Sequence, residues 1–377
     1  MNDLIFLDHI LLFEFDPTLK YSPLYPEYLS IYQSFPYPPS VEYFVPRNMV
    51  IDLKGPWRIE PTSFPMPDFP TSAVTFDQAA DSFGQEMSKE IDQGRDIYLM
   101  WSGGIDSTVV AVSLLKNLKP YQESKLSIVL SDFSKRENPI FYHKFLQKFK
   151  QINVADFDPV NIDLKNSIIL DGEGGDQIYG SSAANTAFSL RPDKILSPWR
   201  SNIDFLQDYY KNATPGFLEY LIDLMNKTID HSSMPVDTLF DFFWWLNFNC
   251  KFDCVSFRQT LRMCKNIPDQ DFEYFTKNVM RRFYVSDKIQ QWSMSATAPE
   301  KINQARKTVK WAGRKYIYDF DHNEYYFREK RKEFSFIVKP NPSTLKYFAI
   351  DKNHKRYSFR DRHTRQEIGR FFEKLVG

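Results

Sequence analysis

The chain has 377 residues, of which 42% are hydrophobic and 16% aromatic, enough for a large buried core and about two or three domains. Lys and Arg number 48, and Asp and Glu also number 48, so the net charge is zero and argues against nucleic acid as a partner. Three cysteines are too few for a disulfide framework. Acidic residues interrupt the N-terminal apolar run, and no apolar stretch suits a membrane span, so we expect a cytoplasmic protein without a signal peptide.

Residues 1–74 are rich in Pro and aromatic side chains. Dense prolines exclude long helices and predict short extended segments joined by turns. From residue 75 the pattern changes, because apolar residues recur at helical spacing as far as about residue 94, with Thr75 as a suitable N-cap. A new domain is therefore predicted to begin near residue 75.

Strand and helix patterns alternate over the next part of the chain, to about residue 185. Such alternation is typical of α/β proteins and predicts a doubly wound parallel sheet. The predicted elements are a strand at 96–101, a helix at 108–118, a strand at 125–132, a helix at 138–150, a third short strand at 153–157, and a strand at 166–171 with a helix after it.

Beyond residue 197 the pattern becomes helical and unusually aromatic, and we interpret the aromatic stripe around residues 239–257 as core packing. Cys250 and Cys254 have a spacing that could suit zinc, but no second Cys or His pair follows closely. Together with Cys264 they are predicted to be buried or incidental thiols. The last residues, 351–377, are locally basic.

A glycine loop, Trp101-Ser-Gly-Gly-Ile-Asp-Ser-Thr108, lies between the first predicted strand and its helix. Amide groups and the positive end of the helix dipole favour a phosphate at such a position. Gly103 and Gly104 allow the backbone to approach an anion closely. Asp106 would repel a bare phosphate, so its presence predicts a Mg²⁺ shared with a nucleotide. Hydroxyl groups that could add donors are those of Ser102, Ser107 and Thr108.

The loop is not the common G-x-x-x-x-G-K-[ST] phosphate loop, which does not occur in the chain. It resembles the PP-loop, SGGxDS, of the N-type ATP pyrophosphatases, which include asparagine, GMP, NAD and argininosuccinate synthetases. The resemblance implies an α/β core that binds ATP and Mg²⁺ and releases AMP and pyrophosphate.

A second segment, Ile168–Gly180, reads IILDGEGGDQIYG and is similar to the GEGSDE-[LI]-F-G loop of asparagine synthetases. By position, this resemblance implies that Asp176 is a second Mg²⁺ ligand opposite Asp106. It also implies that Glu173 faces the activated acyl group and assists the incoming amine. Asp171 and Gln177 are looser matches to the family pattern.

The same resemblance suggests where the rest of the nucleotide lies. The adenine is expected against the backbone of Leu130 and Ser131, after the second strand, and the nucleotide contacts Gly172 and Gly174. A late segment, YFREKRKEFS, is similar to the family's R-x-K-x-x-F, whose lysine assists pyrophosphate departure. Lys330 is the first candidate for that lysine and Lys332 the second, because the register is ambiguous. Further basic candidates are Arg306, Lys307, Arg314 and Lys315.

The chain also departs from the family. Glutamine-using asparagine synthetases have a catalytic cysteine after the initiator methionine, whereas this chain begins Met1-Asn2-Asp3, so we expect no N-terminal glutaminase domain. The family's aspartate-binding segment corresponds to residues 290–296 here, which lack its charges. The acid is therefore open, either a small molecule or a peptide carboxylate. The amine donor is ammonia, another amine, or ammonia from a separate glutaminase.

These observations predict an AMP-forming carbon–nitrogen ligase. Two alternatives stay open: a PP-loop enzyme that adenylates a nucleobase carbonyl, and a non-catalytic ATP-binding regulatory protein. The predicted fold class is α/β, a doubly wound parallel sheet of the PP-loop type with a small Pro-rich β-like N-terminal region and a helical C-terminal portion. The predicted regions are 1–74 (N-terminal region), 75–196 (nucleotide-binding core), 197–350 (helical portion completing the synthetase domain) and 351–377 (basic tail).

Overall fold

A computed structural model of the chain divides by its contacts into two units. The mixed-sheet unit comprises Met1–Met66, Asp193–Glu273 and Lys339–Gly377, and the parallel-sheet unit comprises Pro67–Pro192 and Tyr274–Val338. None of the described helices is long and apolar enough to cross a membrane. The described residues are 4–7, 47, 51–53, 57–59, 64, 66–211, 217–230, 232, 234–252, 255–256, 260, 263–264, 266–330, 346–351 and 355–360.

The strands, in chain order, are β1 (Leu4–Leu7), β2 (Ile51–Leu53), β3 (Trp57–Ile59), β4 (Asp96–Met100), β5 (Leu126–Leu130), β6 (Lys150–Asn153), β7 (Ser167–Asp171), β8 (Met280–Arg282), β9 (Ile302–Asn303), β10 (Thr308–Val309), β11 (Lys346–Asp351) and β12 (Arg356–Arg360).

The α-helices of the described residues are α1 (Phe76–Asp92), α2 (Ile105–Asn117), α3 (Asp132–Glu137), α4 (Pro139–Phe141), α5 (Gly175–Tyr179), α6 (Ser181–Leu190), α7 (Ile203–Tyr209), α8 (Phe217–Ile229), α9 (Leu239–Trp245), α10 (Phe272–Tyr274), α11 (Asp287–Ser295), α12 (Ala298–Lys301), α13 (Trp311–Asp321) and α14 (Glu324–Glu329). Helices α4, α9 and α10 continue as π-helical turns, Tyr142–Leu146, Leu246–Cys250 and Phe275–Val279.

The mixed-sheet unit contains a five-stranded sheet of order β12-β11-β1-β3-β2. Strand β1 pairs antiparallel with β11 and parallel with β3, so segments from the two ends of the chain share one sheet. The aromatic stripe is buried, as predicted, since Phe240, Trp244 and Trp245 are at most 1% exposed. Cys250 and Cys264 are buried, whereas Cys254 lies outside the described residues.

The parallel-sheet unit has the strand order β6-β5-β4-β7-β8, with every neighbouring pair parallel. The chain starts in the centre at β4, moves outward through β5 to β6, and then returns to the other side of β4 for β7 and β8. All residues of β5 and β7 are buried, and because successive side chains point to opposite faces, both faces of the sheet are covered. The α/β class with a parallel sheet is therefore confirmed.

Helix α1 begins where the sequence predicts it. Thr75 is the N-cap: its hydroxyl accepts a hydrogen bond from the Gln78 amide at 3.2 Å, and the Gln78 side chain accepts one from the Thr75 amide at 3.1 Å. The third strand of the core was predicted at 153–157, which is wrong, because β6 ends at Asn153. Strand β6 is an edge strand with partly exposed residues, so it lacks the apolar run on which the prediction depended.

The fifth parallel strand, β8, lies in the portion predicted to be helical, which also contains the β9–β10 hairpin and β11. Strand β8 has three residues, two of them arginines, and its position depends on pairing with β7, where Asp171 is opposite Arg282. A strand this short and this polar has no apolar or alternating pattern in the sequence, so its extended conformation depends on pairing with the neighbouring strand.

Candidate functional site

The predicted residues of the two glycine motifs and of the adenine site lie at the carboxyl ends of β4, β5 and β7, which are neighbouring strands of the parallel sheet. The first loop (Trp101–Gly104) follows β4, and the second loop (Gly172–Gly174) follows β7. The strand order reverses between β4 and β7, and ligands of open α/β sheets bind in the crevice at such a reversal. The two glycine motifs therefore lie where this architecture forms a binding site.

The first loop makes close backbone contacts that depend on glycine. Gly103 has φ 80°, and a methyl group there would overlap the carbonyl oxygen of Ser134. Gly104 is the N-cap of α2 and supplies no side-chain acceptor to the first amides of that helix. The hydroxyl oxygens of Ser102 and Ser107 are 2.9 Å apart and bond to each other. The loop thus presents a helix N-terminus and two hydroxyl groups at one position.

Buried side chains support the first loop. Thr108 is fully buried, and its hydroxyl accepts a hydrogen bond from the indole nitrogen of Trp101 at 3.1 Å. Thr108 therefore lies in the core, whereas Ser102 is partly exposed. The Tyr326 hydroxyl donates to the carbonyl oxygen of Gly103 at 2.8 Å, so the end of α14 also holds the loop in place.

The second loop packs directly against the start of α2. A Cβ at Gly172 would lie 2.8 Å from the amide nitrogen of Ser107, and a Cβ at Gly175 would lie 2.5 Å from the Asp106 carboxylate. Gly174 has φ 96°, a left-handed conformation. A larger residue at Gly172 or Gly175 would push the second loop and α5 away from the start of α2.

The two carboxylates predicted to bind Mg²⁺ share one ammonium group in this structure. The Lys310 Nζ forms an ion pair with Asp106 Oδ2 and lies 2.9 Å from Asp176 Oδ1. The second oxygen of Asp106, Oδ1, is buried and has no hydrogen-bond partner. The structure thus brings Asp106 and Asp176 together, through a lysine that the sequence motifs do not indicate.

Burial and charge act on these groups in opposite directions. Burial raises the pKa of Asp106; Lys310 lowers it, while Asp176 and Glu173 raise it. Burial alone lowers the pKa of Lys310, but the carboxylates of Asp106 and Asp176 outweigh it, so the pKa lies above its ordinary value. Lys310 is therefore charged at neutral pH, and its ammonium stabilises the charged forms of both carboxylates.

The donor set fits a magnesium ion that arrives with a nucleotide. Within the described part of the chain, no three His, Cys, Asp or Glu side chains are grouped to hold a metal ion. Asp106 and Asp176 would supply two oxygen ligands, and water and phosphate oxygens would complete the octahedral shell that Mg²⁺ prefers. The unpartnered Oδ1 of Asp106 is an acceptor that such a cation would satisfy.

Lys330 lies beside the first loop, in a buried ion pair with Glu137. Its Nζ is 2.5 Å from Glu137 Oε1, and the two side chains are 9% and 3% exposed. Burial lowers the pKa of Lys330, and the Glu137 carboxylate opposes that change. A Cβ at Gly104 would lie 3.4 Å from the same Glu137 oxygen, so the pair borders the loop. The second lysine candidate, Lys332, lies outside the described residues.

The predicted adenine contacts follow β5. Leu130 is the last residue of β5 and is 3% exposed. Ser131 is the N-cap of α3, and its hydroxyl accepts a hydrogen bond from the Ser134 amide at 3.2 Å. Because Ser134 also packs against Gly103, these residues lie next to the first loop.

Sequence reasoning missed Lys310 and Glu137, and it treated Asp171 only as a loose match. Asp171 accepts a hydrogen bond from the Glu173 amide at 3.1 Å and lies 3.8 Å from the guanidinium of Arg282. Burial raises the pKa of Asp171 to about 7 although Arg282 opposes the shift. Lys310 and Glu137 lie among other charged residues, so no pattern in the chain distinguishes them.

No protein-family model and no curated protein sequence matches this chain. The geometry of the two loops and their charged partners is therefore the basis for a functional interpretation.

Proposed function

We propose that this chain is an AMP-forming carbon–nitrogen ligase of the asparagine synthetase type, built on a doubly wound PP-loop fold. One observation carries the proposal. The Ser102–Thr108 and Gly172–Asp176 motifs come from strands that neighbour each other where the strand order reverses, and their aspartates converge on one cation. This is the arrangement that a magnesium nucleotide requires, with a phosphate-binding helix start on one side and paired carboxylates on the other.

ATP is the first substrate in this proposal. Its triphosphate lies on the Ser102–Gly104 backbone and the start of α2, where amides and the helix dipole favour negative charge. The adenine lies against the backbone of Leu130 and Ser131, and Gly172 and Gly174 let the second loop approach the nucleotide. Asp106 and Asp176 would hold Mg²⁺, which would supply positive charge that favours the departure of pyrophosphate.

The second substrate is a carboxylic acid, small or carried on a peptide, whose carboxylate attacks the α-phosphorus of ATP. Lys330 compensates the charge that develops on the departing pyrophosphate. Its burial beside the first loop supports this role, because a buried ammonium acts through a medium of low dielectric constant. The amine then attacks the acyl carbon beside Glu173, and AMP is released.

The amine donor is ammonia, another amine, or a separate glutaminase, and nucleic acid is not among the proposed partners. We propose a cytoplasmic location, which the low cysteine count, three in 377 residues, supports. A non-catalytic ATP-binding protein is the second candidate function. It is favoured by one observation, that the Lys310 ammonium contacts both carboxylates and offsets part of their charge.

Product analysis of ATP turnover tests the proposal. The protein is incubated with Mg·ATP, ammonia and a pool of amino and organic acids, and the nucleotides are separated by ion-exchange chromatography. The Asp106→Ala variant removes one metal ligand, and Asp156→Ala, at an exposed position after β6, is the matched control.

AMP and pyrophosphate formed by the wild type and the control, but not by Asp106→Ala, are the expected result. ADP and phosphate would contradict chemistry at the α-phosphorus. AMP formed only when nucleosides replace the acid pool would support the nucleobase alternative. Tight ATP binding without turnover across the acid pool would favour the non-catalytic candidate.

A further inference from the structure

Lys310 has a backbone conformation that is unfavourable for lysine. Its φ is 59°, in the left-handed region, and it is the N-cap of α13, directly after the hairpin of β9 and β10. Residues other than Gly, Asn and Asp rarely adopt this conformation, and strained residues concentrate at functional sites. A strained backbone at Lys310 therefore suggests that its side chain has a specific role.

The helix that follows Lys310 is packed tightly in the unit. A Cβ at Gly313 would lie 2.5 Å from the Tyr179 hydroxyl and 3.2 Å from Val109 Cγ2, so α13 lies as close to α5 and α2 as a glycine permits. Helices α5 and α2 are also the helices that carry Asp176 and Asp106. The packing of α13 therefore fixes the backbone of Lys310 next to α2 and α5, the helices that carry Asp106 and Asp176.

The Lys310 ammonium has the same partners that a metal ion would have. It bridges Asp106 and Asp176 and its side chain is 14% exposed, while Glu173 adds negative charge nearby. An ammonium contacts oxygen at about 2.9 Å, whereas Mg²⁺ requires oxygen ligands at about 2.0–2.1 Å. A metal ion that binds between Asp106 Oδ2 and Asp176 Oδ1 would occupy the position of the ammonium, so binding at that position requires the ammonium to leave.

We infer that Lys310 is a positioning residue of the metal site: its ammonium holds the carboxylates of Asp106 and Asp176 together in the metal-free protein and gives way to a divalent cation. The inference rests on the proposed function for the metal's role, but the exchange itself needs no nucleotide. It follows that the carboxylates bind a divalent cation weakly while Lys310 is in place.

Binding of Mn²⁺ alone, measured by electron paramagnetic resonance without nucleotide, tests the exchange. Lys310→Met removes the competing charge, and Lys89→Met, at an exposed position of α1, is the matched control. We expect Lys310→Met to bind Mn²⁺ at least tenfold more tightly than wild type and Lys89→Met to bind as wild type does. Adding Asp106→Asn to Lys310→Met abolishes the gain. Equal or weaker Mn²⁺ binding by Lys310→Met would overturn the inference.

A measurement on the wild-type protein covers the case in which Lys310→Met does not fold. Acetylation of each lysine by acetic anhydride is followed by mass spectrometry, with and without Mn²⁺ at a concentration that occupies the site. We expect Mn²⁺ to accelerate Lys310 acetylation at least fivefold and to leave Lys89 unchanged. An unchanged Lys310 rate with Mn²⁺ bound would contradict the exchange.

The results separate this inference from the proposed function. If Lys310 gives way to Mn²⁺ but no AMP is formed with any acid, the ligase proposal fails and the inference stands. If AMP is formed while Lys310→Met gains no Mn²⁺ affinity, the inference fails alone.

Discussion

The glycine loops and the late basic segment, residues 302–330, contribute to the same site in different ways. The loops depend on close backbone packing, because a Cβ at Gly103 would overlap the Ser134 carbonyl and a Cβ at Gly172 would overlap the start of α2. The late segment contributes side chains from far along the chain. Lys310, Lys330 and Tyr326 contact residues that are 204, 193 and 223 positions away, respectively.

This difference shows which kind of information a motif contains. A close backbone approach restricts the residue type at each position, so the loops have a recognisable pattern. A lysine that pairs with a distant carboxylate needs only length and charge, and many lysines in the chain have both. The loops therefore carry a pattern from which a function can be proposed, whereas the late segment adds positively charged side chains that the pattern does not reveal.

The largest expected effect concerns the buried ion pair between Glu137, beside the first loop, and Lys330 of the late segment. Glu137→Gln leaves the Lys330 ammonium buried without its carboxylate, and we expect the free energy of unfolding to fall by about 3 kcal/mol. Urea unfolding measures the change. Glu123→Gln, which alters an exposed pair with Lys148, is the control and should cost about 0.5 kcal/mol. A similar loss in both variants would show that burial does not strengthen the Lys330 pair.

Gly103→Ala tests whether the first loop depends on backbone contact. Gly103 and Gly94 both have positive φ, but a Cβ at Gly94 would meet nothing within 4 Å. We expect Gly94→Ala to cost about 1 kcal/mol from backbone strain alone and Gly103→Ala about 2–3 kcal/mol, because it adds a clash with Ser134. Equal unfolding free energies for the two variants would refute the close approach.

Asp171, the last residue of β7, lies beside Arg282 of β8, and this contact predicts a pH dependence. The pKa of Asp171 rises from 3.8 to about 7 on folding, so the folded state binds more protons than the unfolded state between these values. Stability from this group is present below pH 3.8 and is lost as the pH rises through 7, by up to about 1.4 kcal/mol per pH unit.

Urea unfolding between pH 5 and pH 8 checks this prediction. Asp171→Asn removes the titrating group, so its free energy of unfolding should decline less with rising pH than that of the wild type. Identical slopes for the two proteins would mean that Asp171 titrates normally.

The smallest expected effect separates the two strained lysines of the late segment. Lys307 has φ 49°, at the turn that precedes β10. Lys307→Gly relieves the strain and, allowing for the greater entropy of glycine in the unfolded chain, should stabilise the protein by about 0.5 kcal/mol. Lys310→Gly should instead destabilise it, because the carboxylates lose their ammonium. Thermal unfolding compares the two variants. Stabilisation by Lys310→Gly as well would show that the Lys310 contacts contribute little.

Much of the fold was predictable where local pattern and burial agree. Helix α1 was predicted with its N-cap at Thr75. Strands β5 and β7 were predicted from their apolar runs, and the structure buries every residue in both. Strands β6 and β8 escaped prediction, since an edge strand and a three-residue arginine-rich strand lack an apolar run. For the site, both loops and both aspartates were identified, but their lysine was not.

The sequence by itself determined the glycine loops, the strands that precede them and the residue types that can meet a phosphate and a metal ion. These features follow from interactions between neighbouring residues and from steric limits on single positions. Only the tertiary structure decided that Lys310 bridges Asp106 and Asp176 and that Glu137 pairs with Lys330. The reason is physical: a charge pair across about two hundred residues depends on packing that brings both partners together, and the local chain carries no sign of it.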